Sequence, residues 1–145
     1  MIAVVSDASV ALKWFHADGE DEVDASRAIV GMFGRRRISL SVLDLTRYEV
    51  GNALLRGRAS ASPAQVADVL DALADICPEV APSAADLRVA AHLADEHGLT
   101  LYDAAYAAVA RSHGAELATM DRALLRAGLG KRPSEIVALV EQDPP

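Results

Sequence analysis

Cysteine occurs once, at Cys77, so no internal disulfide can form and a reducing compartment is expected. The histidines offer no substitute for a sulfur site. His92 and His97 are five positions apart and do not share a helix face, while His16 and His113 have no neighbour at ligand spacing. A histidine or cysteine zinc centre is therefore excluded. Lysine is confined to Lys13 and Lys131 and the formal net charge is -7, which argues against binding nucleic acid through a general basic surface. Any such grip must be local. Aromatic residues make up only 4% of the chain, so alanine and valine must fill most of the core. The opening MIAVVSDASVALKWF has no basic segment before its apolar run, and Asp7 and Lys13 interrupt it. It reads as neither signal peptide nor membrane span, and a soluble, cytoplasmic protein is expected. There is no G-x-S-x-G turn and no glycine-rich loop after the first strand, so serine-hydrolase and nucleotide-binding readings are weak.

What is present is an apolar chain of one-domain size, 145 residues with 52% hydrophobic content, which predicts a single globular unit. Ile2 to Ser6 reads as a buried strand closed by Asp7, and Ala8 to Phe15 as a helix. Helical spacing resumes from Glu20 to Phe33, and Ile38 to Val42 is the second strand. From about Leu43 to Arg56 the pattern is helical, with Glu49, Asn52 and Arg56 on one polar stripe. Ser62 and Pro63 start a helix that runs to Ile76, Glu79 to Ala81 is a short strand, and Ser83 caps a helix ending at His97-Gly98. Thr100 opens a helix to His113, Glu116 to Thr119 is a strand delivered onto Asp121, and Arg122 to Ala127 is one more helix. The β-branched run Ile136 to Val140 is read as an edge strand. Strands alternating with helices over short loops predict an α/β fold, a parallel central sheet of four or five strands with helices on both faces.

Asp7, Glu49, Asp103 and Asp121 each stand at a strand end or inside a helix of otherwise apolar character. Asp7, Asp103 and Asp121 have an ordinary alternative role as helix caps, and Thr100 to Asp103 has capping-box spacing. Glu49 lies within its helix, where a solvated face is the alternative. Capping and ligation are compatible, and the combination is the signal. Carboxylates brought together repel unless a cation neutralises them, and Mg²⁺ or Mn²⁺ prefers such hard oxygen ligands. This pattern predicts metal-assisted hydrolysis of a phosphodiester.

These residues resemble the PIN-domain ribonucleases, in particular the VapC-type toxins of bacterial toxin-antitoxin pairs. VVSDASV is similar to the family's first motif, RYEVGNALLR to the second, LTLYDAAYAAVA to the third and LATMDRALL to the fourth. The resemblance implies that Asp7, Glu49, Asp103 and Asp121 hold one or two Mg²⁺ or Mn²⁺ ions, with Ser9, Asn52 and Thr119 in support. It also implies an RNA substrate, a homodimer, and a cognate antitoxin whose C-terminal segment lies along a groove near the acidic pocket.

Arg35 to Arg37, Arg47, Arg56 and Arg58 are the candidates for a local RNA-holding surface, with a solvated surface as the alternative. Trp14 and Phe15 suit core packing or a dimer contact better than base stacking. Three other readings bear comparison. A phosphoacceptor receiver domain would need paired acids after the first strand, and Asp7 has no acidic neighbour. A haloacid-dehalogenase phosphatase would need an acid where Ser9 stands, whereas a catalytically silent protein of the same fold is compatible with every motif.

Overall fold

A computed structural model describes residues 1–57 and 59–144. Strands β1 (Ile2–Ser6), β2 (Ile38–Leu43), β3 (Glu79–Val80) and β4 (Glu116–Ala118) form one sheet in the order β3-β2-β1-β4. Every pairing is parallel, with Val4 opposite Leu40 on one side and Glu116 on the other, and Val42 opposite Glu79. The chain thus builds outward from β1 to β3 and then crosses back to place β4 on the free side of β1. That reversal opens a crevice beyond the carboxyl ends of β1 and β4, where sheets of this kind receive ligands.

Successive strand residues face opposite sides, and the burial follows this alternation. Val5 and Leu117 enter a core with helices α5 (Ala84–His97) and α6 (Leu101–Ser112). Val4, Ile38, Leu40, Val42 and Ala118 enter the other, with α2 (Val23–Gly34) and α8 (Pro133–Gln142). Helices α1 (Ala8–Ala11), α3 (Thr46–Arg56) and α4 (Pro63–Ile76) close a third cluster through Ala11, Val50, Leu54, Val66 and Leu73. α6 contributes an unbroken buried run from Ala104 to Ala110, and its small side chains allow close approach to the sheet. Trp14 and Phe15 pack against these cores, and the Trp14 indole donates to the Ser26 carbonyl at 3.0 Å. Cys77 is buried, and burial first and the Glu79 charge second push its thiol up to about 12. Among the described residues no helix is long and apolar enough to cross a membrane.

The capping signals at Ser62 and Ser83 form as expected: Ser62 pairs with Gln65 and Ser83 with Asp86 as reciprocal boxes. Three boundaries differ by more than one residue. The helix after Asp7 is α-helical only to Ala11 and continues as a 3-10 turn over Leu12–Trp14. α2 begins at Val23 rather than Glu20 because Glu22 sits at φ 56, with its N–H held by Asp21 Oδ1 at 2.9 Å. α3 begins at Thr46, since Leu43 is taken into β2.

The tail after Pro133 is a helix, α8, and not an edge strand. Pro133 occupies the first turn, Glu135 Oε1 accepts from the Arg132 N–H at 3.1 Å, and Ile136 and Val140 bury one face against the sheet. The β-branched run is satisfied by spacing of four residues on one helical face, which outweighs strand propensity here. The sheet edge beside β4 is instead occupied by one residue, Lys131, bridged to Ala118. Its N–H donates to Leu117 O at 2.8 Å and its carbonyl accepts from Thr119 at 2.9 Å.

Between β4 and α8 lies the short helix α7 (Arg122–Arg126).

Candidate active site

Asp7 follows β1 directly and is 4% exposed. Its Oδ1 accepts from the Ser9 hydroxyl at 2.6 Å and from the Val10 N–H at 3.2 Å, while Oδ2 accepts a short hydrogen bond from the Thr119 hydroxyl. Ser9 Oγ in turn accepts from the Met120 N–H at 2.9 Å, and Thr119 Oγ1 from the Asp121 N–H at 2.9 Å. The ends of β1 and β4 are thus tied through one carboxylate. Gly130 makes this possible, because a Cβ there would lie 2.5 Å from the Thr119 methyl. Burial raises the Asp7 carboxyl from 3.8 to about 6 against the lowering effect of these donors, and the Glu49 charge adds to the rise.

Glu49 lies on α3, half-buried, with Oε1 accepting from the Tyr106 hydroxyl at 2.7 Å. Its pKa is raised by desolvation first, then by Asp103. Asp103, in the first turn of α6, is raised by desolvation first and then by Asp121. Asp121 caps α7, accepting from the Leu124 N–H at 3.0 Å. Electrostatic coupling therefore links Asp7 to Glu49, Glu49 to Asp103, and Asp103 to Asp121. Among the described residues, however, no three His, Cys, Asp or Glu side chains are arranged to hold a metal ion by themselves. The capping roles expected of Asp7 and Asp121 are made, and Asp103 receives a cap from Thr100 at 3.1 Å.

The cleft beside Glu49 is lined by Leu45, Tyr48, Asn52 and Tyr102 and has a volume of about 280 Å³. Asn52 is therefore where the α3 stripe put it. Arg56 closes α3, is exposed, and lines neither this cleft nor the groove formed by Arg47, Tyr48, Gly51, Leu55 and Leu70. Among the described residues the candidate arginines do not all lie at one end of the sheet. Arg35 to Arg37 precede β2, at the opposite end of a parallel sheet from the acidic crevice, and Arg37 is spent on the carbonyls of Val140 and Asp143 at 3.1 and 3.0 Å. Arg47 pairs with Glu79 at 3.4 Å and covers the Tyr48 ring, and Arg58 lies outside the described residues.

Sequence reasoning missed Tyr48 and Tyr102, 71% and 64% exposed beside the cleft, and the buried pair Thr46 and Tyr106 behind it. The available signal was adjacency: each exposed tyrosine directly precedes a site carboxylate. Tyr106 stands one turn beyond Asp103 in an alanine run that otherwise lacks polar groups.

A family model of the PIN domain matches residues 4–129, and the chain belongs to the PIN-domain family. Its relatives are VapC proteins. Exonuclease VapC9 of Pyrobaculum aerophilum is 42% identical over 97 residues, spanning 63% of this chain and 68% of the relative. Ribonuclease VapC3 of the same organism is 34% identical over 125 residues, spanning 83% and 91%. A Pyrobaculum aerophilum crystal structure superposes with TM-score 0.69 at 27% identity, covering 98% of this chain and 97% of the other. A toxin-antitoxin complex from Klebsiella pneumoniae matches at TM-score 0.63 and 18% identity, covering 90% and 97%, which speaks to the fold. Family membership sets aside the receiver and phosphatase readings.

Proposed function

We propose that this chain is a metal-dependent endoribonuclease of the toxin type, silenced by a cognate antitoxin, with Asp7, Glu49, Asp103 and Asp121 as its catalytic carboxylates. The observation that carries the reading is Asp7: a carboxylate taken almost wholly from water at the β1/β4 crevice, held by Ser9 and Thr119 and further strained by Glu49. A buried acid against a second acid is costly unless a cation relieves it. The donors are all hard oxygens. Mg²⁺ commonly keeps several waters and takes only one or two carboxylates directly, so this reading does not need a closed three-ligand cage.

When bound, such an ion lowers the pKa of an attacking water and offsets charge on the phosphate oxygens. The chain's own residues do the positioning. Ser9 and Thr119 fix both Asp7 oxygens, Thr119 also sets the turn that carries Asp121, and Asn52 presents an amide to the same cleft as Glu49. Tyr48 and Tyr102 flank that cleft with exposed rings suited to unstacked bases, as single-stranded or looped RNA supplies. The antitoxin reading draws on the complex from Klebsiella pneumoniae, and the RNA reading on ribonuclease VapC3. A homodimer belongs to the same reading and rests on the family resemblance alone.

Cleavage of defined RNAs with Mn²⁺ or Mg²⁺, and none in excess EDTA, is the expected result. Activity that persists in EDTA overturns it. The name of exonuclease VapC9 favours a second reading, digestion from an end. A circular single-stranded RNA separates the two: the endonuclease opens it, and an exonuclease leaves it intact. A protein that binds RNA yet cuts neither form would be the catalytically silent version of the fold.

A further inference from the structure

Behind Glu49 runs a buried polar chain that none of the acidic motifs requires. The Leu43 N–H, at the end of β2, donates to Thr46 Oγ1 at 3.2 Å, Thr46 Oγ1 and the Tyr106 hydroxyl are 2.7 Å apart, and Tyr106 donates to Glu49 Oε1 at 2.7 Å. Thr46 is 0% and Tyr106 1% exposed. The direction of the protons follows from what each group can do. An ionised carboxylate only accepts, so the Tyr106 proton goes to Glu49. Its oxygen must then accept the Thr46 proton, and the Thr46 oxygen accepts from the Leu43 N–H. No member of the chain can reverse without leaving a buried donor or acceptor unmet.

We infer that Tyr106 and Thr46 are positioning residues that fix the Glu49 carboxylate in the cleft, occupying Oε1 from behind and leaving Oε2 as the oxygen offered to a divalent cation. The inference rests on the metal-dependent reading above. Tyr106 projects from α6 and Thr46 from α3, the helices that also carry Asp103 and Glu49. The phenol therefore couples the spacing of two site carboxylates to the contact between their helices. A purely structural tyrosine would be satisfied by Thr46 alone and would not need to spend its proton on Glu49.

The test uses the full chain, stripped of metal and titrated calorimetrically with Mn²⁺, alongside RNA cleavage and melting temperature. Tyr106→Phe removes only the hydroxyl and should weaken Mn²⁺ binding by about ten- to a hundredfold, the usual cost of losing an outer hydrogen-bond partner of a ligand. Thr46→Val, which keeps the phenol, should weaken it in the same direction, and Thr46→Ser should restore it. Wild-type affinity in Tyr106→Phe, with only a lower melting temperature, would overturn the assignment. If the wild-type protein itself fails to bind Mn²⁺, the metal-dependent reading falls. The positioning role is then decided by crystal structures of metal-free wild type and Tyr106→Phe: displacement of the Glu49 carboxylate in the variant supports it, and an unmoved carboxylate refutes it.

Discussion

Asp7 and Glu49 face the same crevice and are held in opposite ways. Asp7 is set by the sheet: it ends the central strand, is almost fully buried, and takes donors from Ser9, Val10 and Thr119. Glu49 is set by helices: it sits half-buried on α3 between exposed Tyr48 and Asn52, with one hydrogen bond, from Tyr106 of the neighbouring α6. The floor of the site is thus buried at a cost in desolvation, whereas the rim stays open to solvent. A substrate must enter over the rim, because Tyr48 and Tyr102 are the exposed groups and Asp7 is not.

Removing a floor charge is the harshest way to break this contrast. Asp7→Asn should lower RNA cleavage by more than about 100-fold, beyond the cost of losing an outer partner, while raising the melting temperature of the metal-free protein near pH 7. The rise from 3.8 to about 6 corresponds to about 3 kcal/mol at most. Asp103→Asn should match the loss of cleavage with a smaller stability gain, since Asp103 is only half-buried. If Asp7→Asn instead destabilises the metal-free protein at neutral pH, the hydrogen bonds that Asp7 accepts from Ser9, Val10 and Thr119 outweigh its desolvation.

Thr119→Val comes next. It strips a donor from Asp7 and an acceptor from the Asp121 N–H, so metal affinity should fall by about ten- to a hundredfold and stability by about 1–3 kcal/mol, read by calorimetry and urea unfolding. An effect confined to stability would mean that Thr119 serves only the fold.

The pH dependence sharpens the comparison further. Asp7 binds its proton more tightly in the folded than in the unfolded chain, so the stability this provides is complete below about 3.8 and is lost as pH rises through about 6. Glu49 and Asp103 shift in the same direction. Metal-free protein should therefore melt at lower temperature at pH 7 than at pH 5, and Mn²⁺ should reverse the trend because it binds the ionised carboxylates. A metal-free melting temperature that rises across this window would contradict the burial of Asp7.

The smallest effect is expected outside the cleft. Arg56→Ala should leave kcat unchanged, raise KM at most a few-fold, and reduce the salt slope of RNA binding by about one. A large loss of kcat would place Arg56 in the site after all.

Much of the fold was readable in local chemistry. The capping boxes at Ser62 and Ser83, the left-handed Gly98 and the β-branched first strand depend on neighbouring residues alone, and such interactions are decided within a few positions. The tail escaped for the same reason in reverse: a β-branched run favours a strand locally, and only the apolar surface of the sheet, waiting for Ile136 and Val140, made it helical. In the site, each acid was visible as a polar break in an apolar stretch. Tyr106 and Thr46 were not, because a hydroxyl in a helix has no distinguishing neighbour in sequence when its partner lies 60 positions away.

The sequence by itself determined the order of strands and helices as far as α7, the caps, and the acids that motif and periodicity single out, because these follow from propensity, capping and period over short spans. Only the tertiary structure decided which strand ends meet, that Asp7 would be buried and Glu49 left half open, and which hydroxyl would hold each. Those outcomes depend on contacts between residues distant in the chain, whose desolvation and hydrogen bonding exist only once the sheet and its helices have closed around them.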